Sequence, residues 1–284
     1  MYVSMKGMLE RANKGKYAVM AINCFNLETA KAVILAAQEL RAPVIIDLLQ
    51  DHLQAHLGSK LLTQPIIEMA RNASVEVAVN LDHGKDVGFV KRCLRDGFSS
   101  VMMDASAYPL EQNIEITKKM VEFAQTYDAS VEGEIGNIGS VSRNNLTNDE
   151  MYTDPEAAIE YARRTGIDAL AISYGSSHGD YPDGYVPPFR FDIVEKIKAD
   201  TNIPLVLHGG SGCGEANIKK SIALGINKIN VGSDFMKAQV NSIQEYLKAN
   251  ETVDYVRLIQ GTVDAGKEMV KYYIDLSEST GKSL

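Results

Sequence analysis

The chain has 284 residues, of which 45% are hydrophobic and 23% are charged, and its 29 basic and 37 acidic side chains give a formal net charge of −8. This composition is typical of a globular protein with a sizeable core and excludes extensive disorder. The net acidity, without a basic cluster, argues against nucleic acid and anionic membranes as main partners, although backbone amides can still bind a phosphate.

No apolar run approaches the length of a membrane span, and the polar N-terminal segment lacks the apolar region of a signal peptide. The three cysteines, Cys24, Cys93 and Cys213, form no CxxC pair and cannot all be bridged to one another. This cysteine usage is typical of a reducing compartment, so we expect a cytosolic protein.

Eight short apolar segments rich in β-branched residues recur along the chain, and a segment of helical periodicity follows each of them. The predicted strands are 18–24, 42–48, 75–83, 99–106, 129–136, 168–176, 203–210 and 227–234. The predicted helices are 28–41, 61–73, 86–96, 111–127, 155–165, 190–200, 214–225 and 235–248, with a further one over 252–276. Eight such units within about 230 residues predict a closed (β/α)8 TIM barrel with an additional C-terminal helix. No linker divides the chain, so we expect one domain over 1–284.

Two connections are longer than the others. Residues 137–153 form a polar segment after the fifth strand, and residues 177–190 form a segment rich in Gly, Pro and aromatic residues after the sixth. Long loops on the C-terminal side of barrel strands usually cover or line the active site.

Three of the five histidines lie where strands end. His83 ends the third strand, His178 follows the sixth, and His208 ends the seventh. All three therefore reach the C-terminal mouth of the barrel, where barrel enzymes place their active sites. Three imidazoles with one open coordination position are typical of a catalytic Zn²⁺ site. His52 and His56 have no such partners, and we expect them on the surface.

Asp82 directly precedes one of these histidines, so the two side chains cannot face the same side of a regular strand. Asp82 could orient a histidine by accepting a hydrogen bond, or it could act as a general acid/base facing the substrate. The second role requires the strand to end at His83, as Gly84 permits.

Glycine-rich segments follow the last two strands. They run from His208 to Gly212 and from Asn230 to Asp234. Such segments are often only tight turns, but the loops after strands seven and eight form the usual phosphate site of TIM barrels. Zinc beside phosphate suggests a phosphorylated substrate whose carbonyl the metal polarises.

Further carboxylates lie on the fourth and fifth strands. Asp104 ends the fourth strand, and Glu132 and Glu134 alternate along the fifth. They could form a hydrogen-bonded layer inside the barrel, or Asp104 and Glu134 could provide a subsidiary metal position.

Six segments, taken in chain order, resemble the zinc-dependent class II ketose-bisphosphate aldolases, a family that includes fructose- and tagatose-bisphosphate aldolases. They are NLDHGKD, SVMMDAS, VEGEIG, SYGSSHGDY, LHGGSG and INVGSD. The resemblance implies that His83, His178 and His208 bind Zn²⁺ and that Asp82 is the acid/base at the aldehyde oxygen. It implies a position for a second metal or a monovalent cation at Asp104 and Glu134. The residues implied to hold the dihydroxyacetone phosphate half of a sugar phosphate are Gly179, Gly209, Gly210, Ser211, Asn230, Val231, Gly232 and Ser233.

The mechanism that this resemblance implies is aldol cleavage. Zinc binds the ketose carbonyl and an adjacent hydroxyl and stabilises the enediolate that forms when the carbon–carbon bond breaks. Asp82 takes the proton from the hydroxyl that becomes the aldehyde, and an acid on the lid then protonates the enediolate. We expect a homodimer or a homotetramer, without nucleic acid or membrane partners.

The aldehyde half departs from the family pattern at three positions. Ser142 stands where many members have the lid Glu, which leaves Asp149 or Glu150 to supply the acid. Leu49 replaces a hydroxyl-bearing residue after the second strand, within IIDLLQ beside Asp47. An ungapped alignment puts Val263 where fructose-bisphosphate members have an Arg for the far phosphate.

The candidate cations for the far end of the substrate are Lys85, Arg143, Arg190 or a basic residue of a neighbouring subunit. We therefore expect dihydroxyacetone phosphate and an unusual aldehyde, which could be sulfonated, carboxylated or neutral. The alternatives are an ordinary fructose- or tagatose-bisphosphate aldolase, and a non-catalytic barrel that binds a sugar phosphate.

Overall fold

The computed structural model describes residues 1–136, 152–182 and 184–284. Its eight parallel strands close into a barrel in sequence order, with β1 paired to both β2 and β8. The strands are β1 (Val19–Asn23), β2 (Val44–Leu49), β3 (Val77–Gly84), β4 (Ser100–Met103), β5 (Ser130–Ile135), β6 (Ala169–Ile172), β7 (Leu205–Leu207) and β8 (Ile226–Val231). The predicted TIM barrel is confirmed.

Helices follow the strands around the barrel. They are α1 (Met5–Gly15), α2 (Leu27–Leu40), α3 (Gln50–Ala55), α4 (Gly58–Asn72), α5 (Val87–Arg95), α6 (Leu110–Gln125), α7 (Pro155–Thr165), α8 (Phe191–Thr201), α9 (Glu215–Leu224), α10 (Ser233–Ala249) and α11 (Tyr255–Leu276). Every predicted strand and helix is present, and α11 is the expected C-terminal helix. None of the helices in the described parts of the chain is long and apolar enough to cross a bilayer.

Two helices were not predicted from the sequence. The helix α1 packs its buried face, formed by Met5, Met8, Leu9 and Ala12, against apolar residues of the barrel interior such as Ile45. The helix α3 starts directly at the end of β2, so the chain turns from strand to helix without a loop that would mark the boundary.

The barrel interior changes from apolar to polar along the strands. Its apolar layer consists of small and medium side chains, including Ala21, Ile45, Ala78, Met102, Ala171 and Val206. Two residues further along, the inward positions carry polar groups, because side chains of a strand alternate between its two faces. Lys228 on β8 contacts Glu132 on β5, and strands that are not neighbours can meet only across the interior. The polar layer therefore lies beneath the C-terminal mouth.

Candidate active site

A cavity of about 1280 Å³ opens at the C-terminal ends of the strands. It brings together residues from β1, β2, β3, β5 and β8 and from the loops after β4, β6 and β7. Its lining includes Asn23, Leu49, Asp82, His83, Lys85, Asp104, Glu134, His178, Gly179, Gly209, Ser211, Asn230, Gly232, Ser233, Met236 and Lys237. The sequence predicted most of these residues, and the structure gathers them at one site.

The three strand-end histidines converge at this cavity: His83 and His178 line it, and His208 is fully buried beside them and outside the lining. The Nε2 atoms of His83 and His178 lie 3.2 Å apart, and the ring of His208 lies 4.7 Å from that of His83 and 5.8 Å from that of His178. One ring nitrogen from each falls within 4.8 Å of the others. Three imidazole nitrogens at this separation fit the donor set of a catalytic Zn²⁺ site.

A backbone irregularity lets two consecutive residues face the cavity. The pairing of β3 with β4 shifts register between Leu81 and Gly84, and His83 has a φ of 45°, in the left-handed region. Non-glycine residues adopt this region rarely, and functional sites concentrate such cases. A Cβ on Gly84 would lie 2.5 Å from the carbonyl oxygen of Met102, so the close approach of the strands requires glycine.

In two of the histidines, a hydrogen bond to a carboxylate determines which ring nitrogen is free to bind a metal. His83 Nδ1 lies 2.9 Å from Asp104 Oδ2, and His208 Nε2 lies 2.7 Å from Glu132 Oε1. A carboxylate accepts the ring N–H and leaves the opposite nitrogen for a metal. His83 therefore presents Nε2 and His208 presents Nδ1. The sequence offered Glu132 only as one inward carboxylate among several.

Asp82 is bound by amide groups rather than by a histidine. Its Oδ2 accepts a hydrogen bond of 2.7 Å from Asn23 Nδ2, and its Oδ1 lies 3.3 Å from Asn230 Nδ2. The distance from Oδ1 to His208 Nδ1 is 3.9 Å, beyond hydrogen-bond range. Burial opposes ionisation of Asp82, but the charges of His83 and Lys228 and the hydrogen bond from Asn23 outweigh it and lower its pKa. An ionised carboxylate thus borders the cavity beside the histidines.

A second cluster shares one histidine with the first. His83, Asp104 and Glu134 each offer an atom within 4.8 Å of the others. Glu134 Oε2 is buried, has no hydrogen-bond partner among the described residues and lies 3.7 Å from His83 Nδ1. Burial and the charge of Asp104 raise the pKa of Glu134 to about 8. The orphaned oxygen fits a cation, but a metal here would displace the hydrogen bond between His83 and Asp104.

One part of the cavity is formed by the loop after β7 and the start of α10. Ser211 Oγ accepts a hydrogen bond from the Asp234 amide, which joins the two segments. A Cβ on Gly209, whose φ is 66°, would lie 2.5 Å from the Ser177 carbonyl oxygen, so this glycine permits contact with the loop that carries His178. The N-terminus of α10 presents the positive end of the helix dipole, which favours an anion.

Two predicted substrate-binding residues lie outside the cavity lining. The Gly210 amide donates to the Asn230 carbonyl over 2.9 Å. The Val231 side chain is buried in the main hydrophobic core. Gly179, Gly209, Ser211, Asn230, Gly232 and Ser233 do line the cavity.

A further part of the cavity lining combines apolar and basic residues. Leu49, Met236 and Val240 line it together with Lys85 and Lys237. The sequence named Lys85 as a candidate cation but missed Lys237, which lies one turn into α10 and has no strand-end signal. This part of the lining therefore offers both apolar contact and positive charge.

The other residues that the sequence suggested for the far end of the substrate do not line the cavity or lie outside the described residues. Val263 is buried in α11, is 3% exposed and does not line the cavity. Arg190 pairs with Asp192 outside the lining. The residues proposed for the lid or as loop cations, Ser142, Arg143, Asp149 and Glu150, fall outside the described residues.

His52 and His56 are exposed, as predicted, and both rings contact Phe25. His52 also borders the cavity, which the sequence did not indicate because α3 was not predicted. Its position makes it a residue of the cavity mouth.

The family model of class II fructose-bisphosphate aldolases matches residues 3–282. Over 271 residues, covering 95% of this chain and 93% of the relative, the chain is 38% identical to a fructose-bisphosphate aldolase of Geobacillus stearothermophilus. The crystal structure of the YdjI aldolase from Escherichia coli K12 is similar over the whole of both chains, with a TM-score of 0.89 and 32% identity. A putative fructose-1,6-bisphosphate aldolase from Coccidioides immitis is similar over 97% of this chain and 96% of that one, with a TM-score of 0.86 and 29% identity.

The chain belongs to the class II fructose-bisphosphate aldolase family and is an aldolase, a carbon–carbon lyase. Class II aldolases in general depend on zinc, and the three histidines form a site whose donor set suits that ion.

Proposed function

We propose that this protein is a metal-dependent aldolase that reversibly cleaves a ketose 1-phosphate into dihydroxyacetone phosphate and an aldehyde. The observation that carries the proposal is the cluster of His83, His178 and His208 next to Asp82, at a cavity whose lining also includes glycines and serines of the loop after β7 and the start of α10. A metal position beside an anion site suits a substrate that has a carbonyl near a phosphate.

The metal would be held by His83 Nε2, by a ring nitrogen of His178 and by His208 Nδ1. When bound, Zn²⁺ acts as a Lewis acid for the substrate carbonyl oxygen and for the negative charge that develops there during cleavage. Asp104 and Glu132 accept the opposite ring N–H groups of two of these histidines and so orient the rings. A second cation would require Asp104 and Glu134 and the loss of one of those hydrogen bonds.

Asp82 would take the proton of the substrate hydroxyl that becomes the aldehyde oxygen. Its lowered pKa keeps it ionised at neutral pH, and the amides of Asn23 and Asn230 fix its orientation without donating an acidic proton. The distance of 3.9 Å to His208 supports this role over that of a hydrogen-bonded partner of the ligand.

The phosphate group would lie against Gly209, Ser211, Gly232 and Ser233. Backbone amides at the start of α10 and the serine hydroxyls donate to the phosphate oxygens, and no basic side chain is needed for this contact. Gly179, from the loop that carries His178, lines the same cavity and would also contact the phosphate.

The far end of the substrate would lie against Leu49, Met236 and Val240, within the range of Lys85 and Lys237. We propose that it is not the phosphate of an ordinary ketose bisphosphate but a sulfonated, carboxylated or neutral group, since Leu49 brings an apolar surface close to the reacting carbons. The ordinary reaction is the second candidate, and the two lysines and the 38% identity to a fructose-bisphosphate aldolase favour it.

The test is a substrate profile of the Zn²⁺-loaded protein. Fructose 1,6-bisphosphate, tagatose 1,6-bisphosphate and ketose 1-phosphates with sulfonated, carboxylated or neutral far ends are compared by the rate at which dihydroxyacetone phosphate forms. We expect a ketose 1-phosphate without a second phosphate to have the highest kcat/KM. A non-catalytic sugar-phosphate-binding barrel would bind these compounds without releasing product, and this reading is disfavoured by the presence of all three histidines and Asp82. An oligomer of two or four subunits stays a prediction.

A further inference from the structure

Lys228 lies inside the barrel, beneath the cavity but outside its lining. Its side chain is completely buried, and its ammonium Nζ lies 2.9 Å from Glu132 Oε2, 2.8 Å from Asn230 Oδ1 and 3.5 Å from Asp47 Oδ2. Burying a lysine is costly even when it is paired. Because Lys228 does not line the cavity, contact with substrate does not account for its presence.

The first contact determines how the Asn230 amide is turned. An ammonium can only donate hydrogen bonds, so Lys228 requires the oxygen of Asn230 to face it. The amide nitrogen of Asn230 must then point the other way, where it lies 2.9 Å from Asp47 Oδ2 and 3.3 Å from Asp82 Oδ1. Lys228 thereby fixes the group that donates to Asp82.

The second contact reaches a histidine. Glu132 uses Oε2 for Lys228 and Oε1 for His208 Nε2, so one carboxylate joins the ammonium to the ring. With Glu132 held in this orientation, the proton of His208 stays on Nε2, and Nδ1 is left as an acceptor 3.4 Å from the Asn230 amide nitrogen. A carboxylate left without its cation would be free to turn, and the ring would lose its fixed tautomer.

We propose that Lys228 is a positioning residue that sets the orientation of Asp82 through Asn230 and the tautomer of His208 through Glu132. This positioning role rests on the proposed function only in the experiments that measure turnover. The polar layer has three carboxylates, Asp47, Asp82 and Glu132, around one ammonium. A single side chain therefore holds both the proposed acid/base and a proposed metal ligand.

The test compares Lys228→Met with the double variant Asp47→Asn/Lys228→Met, which removes one charge of each sign and keeps the net charge of the layer. Because Lys228 acts through Asn230 and Glu132 and does not contact the substrate, we expect kcat to fall about ten- to a hundredfold in both variants. We expect KM for the phosphorylated substrate to change less than about threefold, since the Lys228 ammonium contacts none of Gly209, Ser211, Gly232 and Ser233, the residues proposed to hold the phosphate. If Lys228→Met does not fold, the double variant carries the test.

The second readout does not use activity. The chain has only five histidines, so ¹⁵N NMR of histidine-labelled protein can resolve His208 in the metal-free and Zn²⁺-loaded forms. In the metal-free form we expect the wild-type protein to show His208 protonated at Nε2 alone, and both variants to show a mixture of tautomers. Lys198→Met is the matched control, because Lys198 also donates two hydrogen bonds, to the Ile203 carbonyl and to Asn227 Oδ1, away from this network. It should change thermal stability alone.

Two results would overturn the inference. If Lys228→Met keeps kcat and the tautomer of His208, the lysine does not position these groups. If the double variant recovers wild-type kcat, Lys228 only balances charge. A wild-type protein that forms no dihydroxyacetone phosphate but gives the expected NMR result would refute the proposed function and leave the positioning role intact.

Discussion

Asp82 and His83 are consecutive in β3, yet both side chains line the same cavity, because the strand shifts register there and His83 has a left-handed backbone. A regular strand would send one of the two side chains into the surrounding core. The irregularity therefore places a carboxylate and an imidazole side by side. The chemistry proposed for this protein depends on that pair.

Replacing Asp82 with asparagine separates its two suggested roles. We expect Asp82→Asn to lose about a hundredfold or more in kcat, because an amide cannot accept the substrate proton, while metal content stays unchanged. Metal content is measured by atomic emission, and kcat is measured by steady-state kinetics on the same preparations. A fall in metal content in parallel with kcat would show that Asp82 supports a ligand instead.

Removing a histidine tests the metal site. We expect His178→Ala to weaken Zn²⁺ binding by more than the 10- to 100-fold typical of outer-shell substitutions, since two ligands cannot complete the site. His56→Ala, on an exposed histidine outside the cavity, should bind the metal as the wild type does. Competition with a fluorescent chelator measures both affinities.

A chelator should also abolish turnover, and Zn²⁺ or Co²⁺ should restore it. Full activity after prolonged EDTA treatment would falsify the metal-dependent mechanism. So would inactivation by borohydride through a lysine Schiff base.

The far end of the substrate can be tested at Val263. Since Val263 is buried in α11, we expect Val263→Arg to destabilise the fold by on the order of 3 kcal/mol without improving kcat/KM for fructose 1,6-bisphosphate. Val256→Arg, at a residue of the same helix that is 74% exposed, should change neither quantity. A gain in kcat/KM for the bisphosphate in Val263→Arg would mean that α11 does reach the substrate.

The three cysteines give a pH-dependent prediction. Burial raises the pKa of Cys93 and of Cys213 to about 12 and also raises that of Cys24. The native protein should therefore react with a thiol reagent at pH 8 only after unfolding. Between about pH 9 and 12 the unfolded chain binds fewer protons than the folded one, so the free energy of unfolding should fall as the pH rises. Rapid labelling of native protein at pH 8 would contradict this account.

Much of the site could be predicted from the sequence because its chemistry lies at strand ends. His83, His178 and His208 follow apolar strands, and in a closed parallel barrel such positions converge. The same reasoning found Asp82 and the glycines after β7 and β8. The alternation of apolar strands and helices was sufficient to predict these positions, because they depend only on where each strand ends.

Other features depend on the register between strands and could not be predicted from the pattern of apolar and polar residues. The contacts of Lys228 with Glu132 and Asn230 require knowing how far opposite strands are staggered. The φ of His83 follows from a local shift between two strands. Val263 was placed by counting along a helix whose position depends on packing, and its buried location removes the basis for treating it as a lost anchor.

The most direct test of the central claim needs no knowledge of the aldehyde. In the condensation direction the enzyme must remove one proton from the hydroxymethyl carbon of dihydroxyacetone phosphate, so ¹H NMR in D₂O can follow its exchange in the absence of any aldehyde. We predict that the Zn²⁺-loaded protein exchanges one of the two protons and that EDTA stops the exchange. No exchange with metal-loaded protein, or exchange that EDTA leaves unchanged, would contradict metal-dependent aldolase chemistry at this site.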